Sequence, residues 1–72
     1  MAITEKFYTD SKVIKHLKYD SEERTLEVEF VTGKKFRYFD FGQGVFNDLI
    51  NAQSVGSYFN KIKNFYRNEQ IS

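Results

Sequence analysis

Cysteine, proline and tryptophan are all missing from this 72-residue chain, and histidine occurs once, at His16. Without cysteine there is no disulfide to staple a small fold, and no thiolate to serve as nucleophile or metal ligand. The absence also fits a reducing compartment. Without proline, breaks between elements fall to Gly, Asn, Asp and Ser. No apolar run approaches the roughly 18–20 residues of a membrane-spanning helix, so no membrane partner is expected. The opening MAITEKFYTD has no basic flank followed by an apolar stretch and does not read as a signal peptide. A cytoplasmic protein is the expectation.

What is present in quantity is aromatic: eight Phe and five Tyr. A chain this short buries only about 60% of its unfolded surface, so these rings must supply the core, at roughly 150–250 Å² each when covered. The formal net charge is +1, which by itself favours no partner, but the charge is unevenly placed. Residues 1–42 carry acids and bases in equal number, whereas residues 54–68 carry Lys61, Lys63 and Arg67 and no acid. The basic part of the molecule is its last helical stretch.

Residues 1–10 show no clear periodicity and read as an N-terminal arm. Residues 11–68 read as a single domain and 69–72 as a C-terminal tail. Within residues 11–19, SKVIKHLKY, a β-bulge near Lys15 or His16 would place Ile14, Leu17 and Tyr19 on one face. After the polar turn Asp20-Ser21-Glu22-Glu23, residues 25–31 alternate, with Leu26, Val28 and Phe30 inward and Glu27 and Glu29 outward. Thr32-Gly33-Lys34 predicts a tight hairpin in which Gly33 takes a positive φ. Residues 35–39 form a third strand, with Phe36 and Tyr38 facing the core. Glu27 and Glu29 then oppose Lys35 and Arg37 on the outer face. Beyond Gly42-Gln43-Gly44 the period changes. Val45, Phe46, Leu49, Ile50 and Ala52 predict one amphipathic helix, and Val55, Tyr58, Phe59, Ile62, Phe65 and Tyr66 predict a second, capped by Ser54. The fold class is therefore α+β, a three-stranded antiparallel meander followed by two helices packed on one face, β-β-β-α-α.

These residues resemble the KTSC domain family, which is named for its place at the C-terminus of some lysyl-tRNA synthetases and also occurs as a lone domain in bacteria and phages. The resemblance runs over residues 11–66. It includes the opening at Ser11 to Ile14, Leu17-Lys18-Tyr19-Asp20, then Leu26, Val28, Phe30 and Gly33, and the pair Phe36 and Tyr38. Its most specific part is Ala52, Ser54, Gly56, Tyr58, Phe59, Asn60, Ile62 and Lys63, similar to the family's A-x-S-x-G-x-Y-F-N-x-x-I-[KR] helix. Where the family usually has valine-proline before the first helix, this chain has Phe41-Gly42, and the glycine predicts a looser or later helix start. The resemblance implies RNA binding.

For the motif itself, Gly56 reads as close packing, Ser54 as a cap, and Tyr58, Phe59 and Ile62 as core. The other reading is a phosphate held by free N–H groups near Ser54 to Ser57. The nucleic-acid candidates are Asn60, Lys61, Lys63, Asn64 and Arg67, extended by Lys34, Lys35 and Arg37. Asn60, Lys63, Asn64 and Arg67 share one helical face at i, i+3, i+4 and i+7. Cations position phosphates and amides read base edges or 2′-hydroxyls; the bland reading is a solvated helix face. Phe39 reads either as packed under the N-terminal arm, against Phe7 or Tyr8, or as a stacking platform on the outer sheet face.

Catalytic readings do not assemble. Ser11 and Asp20 lie at opposite ends of the strand that carries His16, which is incompatible with a Ser-His-Asp arrangement. One histidine without cysteine does not make a zinc site. Asp20, Glu22 and Glu23 lack the spacing of a calcium loop, and Gly42-Gln43-Gly44 falls short of a phosphate-loop fingerprint. The chain is read as a non-enzyme with no cofactor. Its expected partner is structured RNA or tRNA. The competing expectation is a protein-interaction or regulatory module, of phage or bacterial origin, docking through Phe39 and Phe41 at the sheet's end. Either would be a monomer or a weak homodimer.

Overall fold

The computed structural model describes residues 4–8 as backbone and residues 11–72 in full. The chain folds as β1 (Thr4–Tyr8), β2 (Ile14–Asp20), β3 (Thr25–Phe30), β4 (Lys35–Tyr38), α1 (Gln43–Ile50), α2 (Val55–Ile62), a 3-10 turn (Lys63–Phe65) and β5 (Asn68–Gln70). All strand pairs are antiparallel, in the order β1-β2-β3-β4-β5. The α+β class holds, and the predicted meander is present as β2, β3 and β4. The sheet, however, has five strands rather than three. Residues 4–8, read as part of an arm, pair with β2, and residues 69–70, read as tail, belong to β5 and pair with β4. β5 lacks the alternation that marks a half-buried strand, since all three of its residues are exposed.

The bulge stands where it was expected. Ile14 pairs with Phe30 and His16 with Glu29, so Lys15 is the extra residue. Its consequence is that Ile14, Leu17 and Tyr19 all turn inward, at 0%, 0% and 1% exposure, whereas Val13 remains outside. At the first hairpin the Asp20 carboxylate accepts from the N–H groups of Glu22 and Glu23, each at 3.0 Å. At the second, Gly33 adopts φ 94° and its N–H donates to the Phe30 carbonyl at 2.9 Å.

Both helices cover the inner face of the sheet. Tyr19 stacks on Phe46 of α1 with centroids 4.8 Å apart, and Phe59 of α2 meets Tyr38 edge-on at 5.2 Å. Phe41 is wholly buried between sheet and helices, and its carbonyl accepts the Tyr19 hydroxyl at 2.6 Å. Gly42 does not delay the helix that follows. It is the N-cap residue of α1, with φ −76° and ψ 150°, and its carbonyl accepts the first helical bond from the Phe46 N–H at 3.0 Å.

The second helix is shorter than its apolar stripe predicts. It ends at Ile62, tightens into the 3-10 turn, and Tyr66 is extended at φ −122°, ψ 141°. The cause lies in packing. Tyr66 turns back to place its ring 4.6 Å from Phe41, and the chain then runs along β4. There the Phe39 N–H donates to the Arg67 carbonyl at 2.9 Å. A continuous helix would carry Tyr66 past Phe41 and leave the β4 edge unpaired.

Candidate nucleic-acid interface

The predicted site residues divide between two faces of the sheet. Lys35 and Arg37 lie on β4 in register with Glu29 and Glu27, on the side away from the helices, since Phe36 and Tyr38, which alternate with them, turn to the core. On that outer face charge is largely compensated. The Arg37 guanidinium meets Glu27 of β3 at 3.3 Å and Glu69 of β5 at 3.8 Å. Glu29 accepts from His16 Nε2 at 2.6 Å and stands 4.0 Å from Lys15. A shallow depression of about 140 Å³, lined by His16, Lys18, Glu27, Glu29 and Lys35, lies on this side. Its two carboxylates oppose an approaching phosphate.

Arg67 does not join Asn60, Lys63 and Asn64 on a helical face, because the helix ends at Ile62. Instead its guanidinium lies over the Phe39 ring, 5.0 Å from the centroid. Phe39 is half-buried beneath that contact. Its described cover is thus Arg67, just before β5, and the arm strand β1 lies at the opposite edge of the sheet. The side chains of Phe7 and Tyr8, the predicted cover, lie outside the described residues. Phe41, expected at an exposed aromatic edge, is in the core at 0% exposure and is closed to any partner.

The helix side carries Asn60, Lys61, Lys63 and Asn64 at the end of α2 and in the turn after it. All are exposed except Lys63, which is half-buried. Among the described residues, neither Lys61 nor Lys63 takes part in an ion pair. The nearest acids in the chain are Asp48 and Glu69, with none between. Lys34, exposed in the β3–β4 hairpin, is likewise outside the ion pairs.

The motif residues at the start of α2 are structural in placement. The Ser54 hydroxyl accepts from the Ser57 N–H at 3.3 Å, capping the helix. A Cβ on Gly56 would lie 2.7 Å from the Ser11 Oγ, so the glycine lets α2 approach the entry to β2. Phe59 is buried, and Tyr58 and Ile62 pack against the same core.

One exposed residue escaped the sequence reading. Phe65, placed in the apolar stripe by its spacing, is 81% exposed. Periodicity offers no means of choosing between Phe65 and Tyr66, which fit a continuing helix equally. Only the position of Phe41 decides that Tyr66 turns in.

Elsewhere, Ser11 Oγ accepts from the N–H groups of Val13 and Ile14 at 3.1 and 3.2 Å. It stands before a seven-residue strand whose far end is Asp20, a span of roughly 20 Å. No group of three His, Cys, Asp or Glu side chains among the described residues could hold a metal ion. No helix among them is long and apolar enough to cross a membrane. Tyr38, buried under the helices, has its phenol raised above the ordinary 10.0 by desolvation.

The model of the KTSC domain matches residues 10–66. A lysine–tRNA ligase of Nostoc punctiforme is 41% identical over 64 residues, which are 88% of this chain and 11% of that protein. The chain therefore spans about a tenth of the length of the ligases it matches. An uncharacterized protein of Stutzerimonas stutzeri is 38% identical over 52 residues, covering 72% of this chain and 73% of that protein. Among solved structures, a KTSC domain protein from Yersinia pestis superposes with a TM-score of 0.89 at 22% identity. The match covers 97% of this chain and 100% of that one, and at that identity the likeness is one of fold.

Proposed function

Because this chain belongs to the KTSC domain family, we propose that it is a non-catalytic RNA-binding module that contacts RNA through the end of α2 and the turn after it. Lys61 and Lys63 neutralise backbone phosphates, and Asn60 and Asn64 supply donors and acceptors for 2′-hydroxyls or base edges. Lys34 adds a further cation from the hairpin.

The observation that carries this reading is the segregation of charge. Arg37 on the sheet is held by two carboxylates, whereas Lys61 and Lys63 stand in a stretch with no acid from residue 49 to residue 68. An unpaired cation has its full Coulombic attraction available for a polyanion, and a paired one must first give up its partner. The relatives named lysine–tRNA ligase support RNA as the class of partner. The competing reading, docking onto a protein through Phe39 and Phe41, loses Phe41 to the core and Phe39 to the Arg67 contact.

The test is binding of unmodified tRNA, followed by fluorescence anisotropy at about 50 and 200 mM salt, for the native chain and for Lys61→Glu/Lys63→Glu. Affinity should fall with salt, and the double variant should lose both affinity and about two counterions' worth of salt slope. Equal affinity and equal slope in the two proteins would remove this surface as the interface.

A further inference from the structure

Phe65 is the most exposed of the large apolar side chains described, at 81%, and folding does not account for it. The other two, Val13 and Val31, are β-branched residues flanking paired strands and are joined by a backbone bond, Val31 N–H to Val13 carbonyl at 2.9 Å. Phe65 has no ring partner among the described residues. Its outward direction is fixed by its neighbour. The Tyr66 N–H closes the 3-10 turn onto the Lys63 carbonyl at 3.3 Å, and the Tyr66 ring is anchored on Phe41. Phe65, one residue earlier, is left presented to solvent on a short, held turn.

We propose that Phe65 is a stacking platform for an unpaired nucleobase, so that the RNA taken by this surface is a single strand or a loop rather than continuous duplex. The inference rests on the RNA-binding reading above and names its substrate class. Its setting supports a base over a protein side chain. The ring stands alone, because Ile62 and Tyr66 on either side of it pack on the core, and a protein anchor needs a cluster of apolar neighbours to exclude water around it. What surrounds Phe65 along the chain is cation and amide: Lys61, Lys63, Asn64 and Arg67. That combination suits a flat π-face whose sugar-phosphate backbone runs to either side. A base within a duplex has both faces covered by its neighbours and offers nothing to stack on.

The experiment compares a labelled 12-nucleotide RNA, free and annealed to its complement, at about 50 mM salt. The proteins are the native chain, Phe65→Ala, Phe65→Tyr and Lys61→Glu/Lys63→Glu. Phe65 is exposed, so its variants should keep the native thermal midpoint. Phe65→Ala should weaken single-strand binding roughly tenfold, leave duplex binding and the salt slope unchanged, and be rescued by Phe65→Tyr. If Phe65→Ala matches the native chain on the single strand while the lysine variant weakens binding, stacking is wrong and the RNA-binding reading stands. Equal loss on single strand and duplex would overturn the single-strand assignment. If the native chain binds neither RNA, both readings fall.

Discussion

A methyl group on Gly56 would stand 2.7 Å from the Ser11 hydroxyl oxygen, closer than Cβ contacts run. That oxygen is not free to swing aside, because it accepts from two backbone N–H groups, those of Val13 and Ile14. The first turn of α2 is thus keyed to the entry of β2, forty-five positions earlier in the chain. In an open helix position, alanine would be about 1 kcal/mol better than glycine. Here the overpacking should win, and Gly56→Ala should lower stability by about 1–2 kcal/mol in urea denaturation. Ser11→Ala removes the obstructing oxygen and leaves the Cβ of residue 11, at 3.8 Å, as the next contact. The two substitutions should then couple by more than about 0.5 kcal/mol, the double variant being more stable than the sum of the singles implies. Strict additivity would show that the contact is relieved by other means.

The parts of this fold legible in the sequence are those where one residue type permits one outcome. Gly33 between two alternating strands marked its hairpin, and the displaced phase of Ile14 against Leu17 and Tyr19 marked a bulge. Ser54 before an apolar stripe marked a cap. The illegible parts depend on what the chain meets after folding. Asn68-Glu69-Gln70 has no apolar residue and gains its strand only from the open edge of β4. The end of α2 is set by Phe41, which draws Tyr66 in and leaves Phe65 out. For the same reason the basic residues were legible as a set but not as a surface. Lys63 and Arg67 are one helical face only if the helix continues, and Arg37 is available only if Glu69 is absent from beside it.

The Tyr19 hydroxyl donates to the buried Phe41 carbonyl at 2.6 Å, joining β2 to the loop before α1. Tyr19→Phe keeps the stacking on Phe46 but leaves that carbonyl without this donor. The expected cost is about 1–3 kcal/mol, read as a lower denaturation midpoint with an unchanged slope. A neutral substitution would mean that water or another donor reaches the carbonyl.

Tyr38 gives the alkaline limb of stability a defined sign. Burial raises its folded-state pKa above 10.0, so near that pH the unfolded chain releases the phenolic proton while the folded chain keeps it. The unfolded state then binds fewer protons, and stability falls as pH rises. The contribution is fully present below pH 10.0 and is lost as pH climbs toward the folded value. Thermal midpoints measured from pH 8 upward should hold and then decline, and Tyr38→Phe should shallow the decline. An identical decline in that variant would assign it to other groups.

Arg37 separates the two faces of the molecule. Its guanidinium spans three strands, meeting Glu27 of β3 at 3.3 Å and Glu69 of β5 at 3.8 Å from its place on β4. The group is partly exposed, so each pair is screened and worth less than about 1 kcal/mol. Arg37→Ala should therefore cost only about 1 kcal/mol in total, and the cost should shrink as salt is raised. Its effect on RNA binding is the sharper measurement. The outer sheet face presents Glu27, Glu29 and Glu69, and the proposed interface at Lys61 and Lys63 lies on the helix side. Removing Arg37 leaves Glu27 and Glu69 without that cation but distant from the RNA, so affinity and salt slope should match the native chain. A loss of slope in Arg37→Ala equal to that in the lysine variant would move the interface to the sheet, and Glu27 and Glu69 would then have to release the guanidinium on binding.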